Sequence, residues 1–193
     1  MLSTSTSQSS NLKPISNKYN MNLRKADSET YYLDFPIANS KIDLYKLMGK
    51  ELYPLLQKMN KDMIEGIEQN EIDDTPTQTF FFSSLGPDFG MTKKYMRLRT
   101  QIHEHLDKAA QKLEVNYLSS SIGDKTRIRT YDPLTCNVLD IKLIFVDNDT
   151  TKTHMYVKFN LDIHEDLPIY MKNVVGLMMT KLFYHLKSFI EKM

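Results

Sequence analysis

The sequence has little of several features that would assign a class at once. Its one cysteine, Cys136, cannot form a disulfide within the chain, so we expect an intracellular, reducing compartment. No run of about 18 apolar residues is present, so we expect no helix that spans a membrane. The net charge of +1 gives no reason to expect nucleic-acid binding. The remaining profile suits one globular domain of about 150 residues plus a tail.

Three short sequence patterns resemble catalytic or metal-binding motifs, but an ordinary structural role explains each of them better. Asp140 and Lys142 resemble the acid and lysine of metal-dependent nucleases, but alternation along a strand makes them an ordinary solvated face. His103 and His105 would point apart on a helix; on a strand both could face one ion, but no third ligand is evident. Residues 147–150 resemble part of a calcium loop without its final Glu, and we interpret them as a turn. We therefore predict no catalytic residue, metal site, cofactor or enzymatic activity.

Composition divides the chain into a polar start and a longer remainder. Residues 1–28 hold few large apolar groups to offset chain entropy, so we predict a disordered tail. Residues 29–193 are predicted to form a single domain. Within it, residues 39–69 have apolar side chains at helical spacing. Pro54 interrupts them, which predicts two helices or one kinked helix and disfavours a coiled coil.

The middle of the chain contains weaker strand signals around an acidic linker, residues 68–78. Residues 93–101 fit a strand or a helix; we favour a strand, with a possible helix after it. Four other strands are predicted. Glu29–Ile37 lies before the helical segment, and Thr79–Leu85, LEVNYLSSS and KTRIRTY lie after the acidic linker.

The last third of the chain has the clearest patterns. NVLDIKLIFV and HMYVKFNLDI alternate strictly, which predicts antiparallel strands with one wet face, joined by a hairpin turn. A helix is predicted after Asp166, and its apolar residues cover an arc of roughly 140°. That arc is wider than a flat sheet covers, so we predict a sheet that curls around this helix. The fold class is therefore α+β, with about six to seven antiparallel strands.

The order of these elements resembles the helix-grip fold of the StAR-related lipid-transfer superfamily. Four pieces carry the resemblance, across roughly residues 31–193. They are YYLDFPIANSKIDLYKLMGKEL, the Gly-Pro turn in SSLGPDFG, the late strands RIRTYDPLTCNVLDIKLIFVD and THMYVKFNLDI, and the helix DLPIYMKNVVGLMMTKLFYHLKSFI. Within the superfamily, the chain looks most like the VASt branch of yeast membrane-anchored sterol transporters.

The resemblance implies a cavity between sheet and helix that holds a sterol or another lipid. It also implies transfer between membranes without covalent chemistry, at a membrane surface such as an endoplasmic reticulum contact site. The residues themselves favour a solid core, and the twelve methionines suit either a core or an adaptable pocket. The predicted ligand-binding residues are Phe81, Tyr117, Met155, Val157, Phe159, Val175, Met178 and Leu182.

Basic residues cluster between positions 93 and 129. They can form a solvated outer sheet face, or they can attract anionic lipid headgroups. The predicted membrane-contact residues are Lys93, Lys94, Arg127 and Arg129. No interleaved aromatic platform supports nucleic-acid binding.

A second hypothesis is a protein-interaction module of the RWD kind seen in kinetochore subunits. It requires a helix that runs from about Lys93 to Glu114 and a dimerising coiled coil over residues 41–70. The state of residues 93–101 separates the two hypotheses, because a strand there supports lipid binding and a helix supports the interaction module.

Overall fold

The computed structural model describes residues 12–27, 29–72, 75–84, 92–122, 126–162 and 173–193. The strands are β1 (Lys13–Lys18), β2 (Met21–Lys25), β3 (Thr30–Ala38), β4 (Ile64–Ile72), β5 (Thr75–Phe82), β6 (Lys94–Asp107), β7 (Lys112–Ser121), β8 (Asp132–Pro133), β9 (Thr135–Phe145) and β10 (Lys152–Asp162). The helices are α1 (Leu44–Met48), α2 (Leu52–Met59) and α3 (Val174–Lys192). Within these ranges, no helix is long and apolar enough to cross a membrane.

The strands form one curved antiparallel sheet in the order β1-β2-β3-β10-β9-β7-β6-β5-β4, with β8 added in parallel beside β6. Alternate residues of the central strands belong to one apolar core on the concave face, for example Leu143 and Phe145 of β9 and Met155 and Val157 of β10. This confirms the α+β helix-grip class. The prediction of six to seven strands was too low, since ten are present in the described residues.

Two of the extra strands lie in the segment predicted to be a disordered tail. That prediction is wrong for residues 13–25, which form the hairpin β1–β2. Tyr19 and Asn20 both have positive φ, as a two-residue type I′ turn requires. Met21 and Leu23 alternate on the buried face of β2 and have no exposed surface. Two apolar residues on the correct face suffice here because β3 provides a paired neighbour.

The prediction for residues 39–78 was right about Pro54 and wrong further along. Two helices form, as predicted, and α1 is capped by the Asp43 side chain, which accepts a hydrogen bond from the Lys46 N–H at 3.1 Å. Helical structure ends at Met59, and the supposed helix end and acidic linker form strands β4 and β5. β4 is an edge strand whose outer half is exposed, so polar residues are compatible with it.

Residues 94–107 form one long strand, which confirms the favoured strand and excludes the interaction-module alternative. The possible helix after residue 102 is wrong, because β6 continues to Asp107. There the Asp107 carboxylate accepts hydrogen bonds from the Ala109 and Ala110 N–H groups, each at 3.0 Å, and this turns the chain into β7. The strand KTRIRTY is also wrong, since only an isolated bridge between Ile128 and Tyr131 forms in the described part of that segment.

Helix α3 crosses the concave face beside β3 and α2. Its contacts with β3 advance along both elements, from Gly176 against Tyr31 to Lys187, whose Nζ donates to the Pro36 carbonyl at 2.7 Å. The side chain of Asn60, which follows α2, donates to the Leu182 carbonyl at 3.1 Å. The predicted start after Asp166 lies outside the described residues. The helix therefore packs along β3 on the concave face of the curved sheet, as the prediction of a sheet that curls around it requires.

Candidate functional site

A small apolar cavity lies where α3 passes over the strands that follow α2. Its volume is about 40 Å³. Every described side chain that lines it is apolar: Met63, Phe82, Met96, Leu134, Leu139, Leu161, Val175, Met178, Met179 and Leu182. Four of these ten are methionines, which are unbranched and change shape at little cost. This lining can exclude water and hold apolar matter, and its described side chains offer no polar group for chemistry.

Three of the eight predicted ligand-binding residues line this cavity. Val175, Met178 and Leu182 all come from α3. Three more, Met155, Val157 and Phe159 on β10, are buried in the core but do not line the cavity. Phe159 lies where α3 packs tightly on the sheet: its ring is 5.2 Å from the Tyr31 ring, against which Gly176 packs.

The prediction for Phe81 was wrong about its face. Phe81 is buried against the Tyr131 ring, 4.9 Å away, and is not part of the main core. Its neighbours Phe80 and Phe82 occupy the concave face instead. A run of three phenylalanines has no polar residue to set the phase of the strand, so sequence alone could not choose between the faces.

Tyr117 is on the concave face, but it forms part of a wall beside the cavity. Its hydroxyl donates to the Met48 carbonyl at 2.6 Å. Tyr53 of α2 packs edge-on against Phe80 at 5.3 Å and against Tyr117 at 5.6 Å. Burial raises the pKa of Tyr53 to about 12 and also raises the pKa of Tyr117, so both hydroxyls stay neutral. These three rings, which we call the aromatic wall, pack on one another, and Phe80 also stacks on the cavity residue Phe82, with ring centroids 6.4 Å apart.

The cavity residues that sequence analysis missed come mostly from strands. Met96 and Leu139 alternate correctly on β6 and β9, and their pattern was visible in the sequence. Met63 was assigned to a helix, and Leu134 lay between two predicted strands, so neither pattern indicated a cavity position. Cys136, near this region, is buried, and burial raises the pKa of its thiol to about 12, which makes it unreactive.

The four predicted membrane-contact residues have different surroundings. Lys94 is only 2% exposed, so its side chain cannot meet a headgroup in this conformation. Lys93 lies 2.7 Å from Glu65, and this pairing lowers the pKa of the Glu65 carboxyl. Arg127 lies 3.4 Å from Asp132 and Arg129 lies 3.9 Å from Glu68. The three surface cations each have an acidic neighbour, which weakens any field they present to a membrane.

Metal chemistry has no obvious place in the described ranges, where no group of three or more His, Cys, Asp or Glu side chains could hold an ion. His103 and His105 are exposed on the outer face of β6. Asp140 and Lys142 alternate on β9 with the core residues Leu139 and Ile141, as the solvated-face interpretation predicts.

Structural comparison shows that the fold is similar to that of StAR-related lipid-transfer domains. Human StAR-related lipid transfer protein 5 superposes with a TM-score of 0.73 at 11% identity, over 95% of this chain and 88% of that protein. The lipid transfer and protein localization domain of human StarD13 gives a TM-score of 0.66 at 10% identity, over 94% and 90%. Human STARD10 gives 0.55 at 8% identity, over 91% and 73%. The chain therefore has the helix-grip fold of these domains.

Sequence comparison does not extend this result. No model of a known protein family matches the chain, and no curated protein is similar to it in sequence. At identities of 8 to 11%, the structural likeness establishes the fold.

Proposed function

We propose that this protein binds a lipid between α3 and the concave face of the sheet, without catalysing a reaction. The observation that carries the proposal is the cavity beneath α3, whose described lining is entirely apolar. An apolar guest there leaves water at a gain of roughly 25 cal/mol per Å² buried. The helix-grip fold shared with lipid-transfer domains supports the same assignment.

The cavity must expand to accept such a guest. Its volume of about 40 Å³ has room for a few water molecules, whereas small-molecule sites occupy about 300 to 1,000 Å³. Met178 and Met179 on α3 and Met63 and Met96 opposite them can swing aside without strain in the backbone. In the conformation described, the site is therefore too small for a lipid.

The finer proposal is that the guest is a sterol carried between membranes. Its support is the sequence resemblance to the VASt branch and the absence of a charged group in the described cavity lining, which suits a molecule with one hydroxyl. Lys93, Arg127 and Arg129 are the proposed contacts with anionic headgroups. We leave Lys94 out of this set because it is buried.

Native mass spectrometry with lipid extraction tests the proposal on protein purified from cells. We expect about one equivalent of a neutral lipid per chain. The variant Met178→Trp fills the cavity and is expected to lower lipid occupancy about tenfold. Leu177→Trp provides the matched control, because Leu177 directly precedes Met178 on the same helix and is 48% exposed.

The two tryptophan variants make the result decisive. Thermal melting of both establishes that each still folds, so a loss of lipid reports on the cavity. A wild-type protein that carries no lipid and takes up neither a sterol nor a phospholipid from vesicles would contradict the proposal. Equal lipid occupancy in Met178→Trp and Leu177→Trp would also contradict it.

A further inference from the structure

A second pocket lies on the concave face, on the other side of the aromatic wall. It is formed between the start of α2 and strands β4 to β7, and its volume is about 350 Å³. Its floor is apolar, with Leu98, Ile102 and Tyr117, and polar side chains surround that floor. Unlike the cavity under α3, this pocket already has the size of a small-molecule site, for which about 300 Å³ is the lower end.

Three hydroxyl groups form a chain at one side of this pocket. The Ser119 hydroxyl lies 2.7 Å from the Tyr53 hydroxyl and 2.9 Å from the Thr100 hydroxyl. Two hydrogen bonds use two of the three protons, so one proton remains for a further acceptor. Tyr53 and Ser119 are buried, whereas Thr100 is partly exposed and lines the pocket. With Tyr53 donating to Ser119 and Ser119 donating to Thr100, the remaining proton lies on Thr100 and is offered to the pocket; the opposite order leaves it on Tyr53, which also lines the pocket.

An unused acceptor lies on the neighbouring strand. The Oε1 atom of Gln78 is buried, and it finds no hydrogen-bond partner among the described residues. A buried polar atom without a partner costs about 1 to 3 kcal/mol. Because Gln78 lines the pocket, a turn of its amide group would bring Oε1 to an occupant that donates to it. Gln78 pairs with Leu98 across β5 and β6, which makes Thr100 its diagonal neighbour on the same face, about 7 to 8 Å away.

We propose that this pocket binds a neutral polyhydroxyl group such as a sugar ring. Such a ring bears hydroxyls that both donate and accept at opposite ends, so one can donate to Gln78 Oε1 while another accepts from Thr100. Its C–H surface would lie on Leu98 and Ile102. A charged ligand fits less well, because Lys50 and Glu51 at the rim oppose each other and no other described lining residue is ionised at neutral pH.

The polyhydroxyl group has two possible sources, a free polyol or the headgroup of a lipid. The first does not depend on the proposed function, and the second does. In the second case the headgroup would occupy this pocket, and the apolar part of the lipid would lie beyond the aromatic wall.

Two-dimensional NMR of the full, isotope-labelled chain tests the pocket with methyl β-D-glucoside as the free polyol. We expect shifts confined to amides around Gln78, Leu98 and Thr100. Gln78→Leu and Thr100→Val should each weaken the affinity about tenfold, the loss expected for one hydrogen bond. Gln101→Leu is the matched control, because Gln101 is exposed on the opposite face of the same sheet, and it should leave the affinity unchanged.

A second arm offers phosphatidylcholine vesicles that contain glucosylceramide. Extraction of glucosylceramide that Gln78→Leu lowers about tenfold supports the lipid source, and binding of methyl β-D-glucoside alone supports the free polyol. No binding in either arm overturns the proposal, as does equal binding by Gln78→Leu and Gln101→Leu. Met178→Trp keeps the two proposals apart, because it should block lipid uptake and leave the binding of methyl β-D-glucoside intact.

Discussion

The concave face of the sheet carries two compartments, and each has one property of a lipid-binding site and lacks the other. The compartment under α3 has the apolar lining that a lipid needs but only about 40 Å³ of space. The one under α2 has about 350 Å³ but a mixed lining with hydroxyls and amides. The same strands contribute to both: Met96 faces the first and Leu98, two residues on, faces the second.

The difference follows from what covers each part of the sheet. Over the first compartment, α3 offers flexible methionines that help to fill the space beneath the helix. Over the second, the short helix α2 covers only the start of the strands, and hydrogen-bonded side chains cannot collapse without breaking their bonds. Apolar lining and open volume are therefore separate properties, and the aromatic wall of Tyr53, Phe80 and Tyr117 keeps them apart.

Removal of the Tyr53 ring is expected to have the largest effect. Tyr53→Ala opens the aromatic wall and leaves a void where Phe80 and Tyr117 now have a partner, so unfolding should become easier by about 3 to 5 kcal/mol, as for other large aromatic deletions. Tyr53→Phe removes only the hydroxyl bound to Ser119 and should cost about 1 kcal/mol. Urea denaturation measures both values.

Tyr156→Ala is the control for the Tyr53 variants. Tyr156 is 42% exposed and contacts the His154 ring on the outer face, so its loss should cost less than about 1 kcal/mol. If Tyr53→Ala proved no more damaging than Tyr156→Ala, the two compartments would not be separated by a wall that depends on Tyr53.

A second, smaller effect on stability is expected where α3 packs on β3. A methyl group at Gly176 would lie 2.8 Å from two ring atoms of Tyr31, and that ring is held in place by Phe159. Overpacking of this kind costs about 1 to 3 kcal/mol, and the better helix propensity of alanine returns up to about 1 kcal/mol. We expect Gly176→Ala to lower the free energy of unfolding by about 1 to 2 kcal/mol.

Gly66→Ala is the matched control, because an added methyl group at Gly66 meets only one Phe81 ring atom, at 3.9 Å. It should change stability by less than about 0.5 kcal/mol. Equal effects of the two substitutions would mean that α3 does not pack against Tyr31 as described. The small volume of the cavity could then not be attributed to the close packing of α3 on β3.

The elements that could be predicted from sequence are those with strong periodicity. β9, β10 and α3 each bury one face along many residues, so the pattern alone determined their type and their role around the core. The edge strand β4 and the hairpin β1–β2 were missed because few of their residues are buried. Their strand structure depends on pairing with β5 and β3, which composition does not record.

The candidate site was predictable only where one element provides it. Val175, Met178 and Leu182 follow from the face of α3, but Phe82 and Leu134 reach the cavity through the phase of β5 and the position of a short strand. The polar pocket left no signal in the sequence, since Gln78 lay in a supposed linker and Thr100 in a strand of uncertain extent. Pockets built from four or five elements arise from tertiary packing, which local pattern does not encode.

Acid sensitivity is the smallest effect, and it should arise outside both compartments. On the outer face, Glu114 lies 2.5 Å from Lys112 and 3.4 Å from Lys142, and these partners hold the pKa of the Glu114 carboxyl below its usual 4.5. A folded-state pKa below the unfolded value stabilises the fold above about pH 4.5, and this contribution is lost as the pH falls through the folded value. Glu114→Gln should reduce the acid-induced loss of stability by up to about 1 kcal/mol, measured by urea denaturation from about pH 6 to about pH 3.

Because Gln78 and Thr100 do not titrate, the affinity for methyl β-D-glucoside should stay constant over the part of that range where the protein is folded. An affinity that followed the Glu114 titration would place that ligand on the outer face instead.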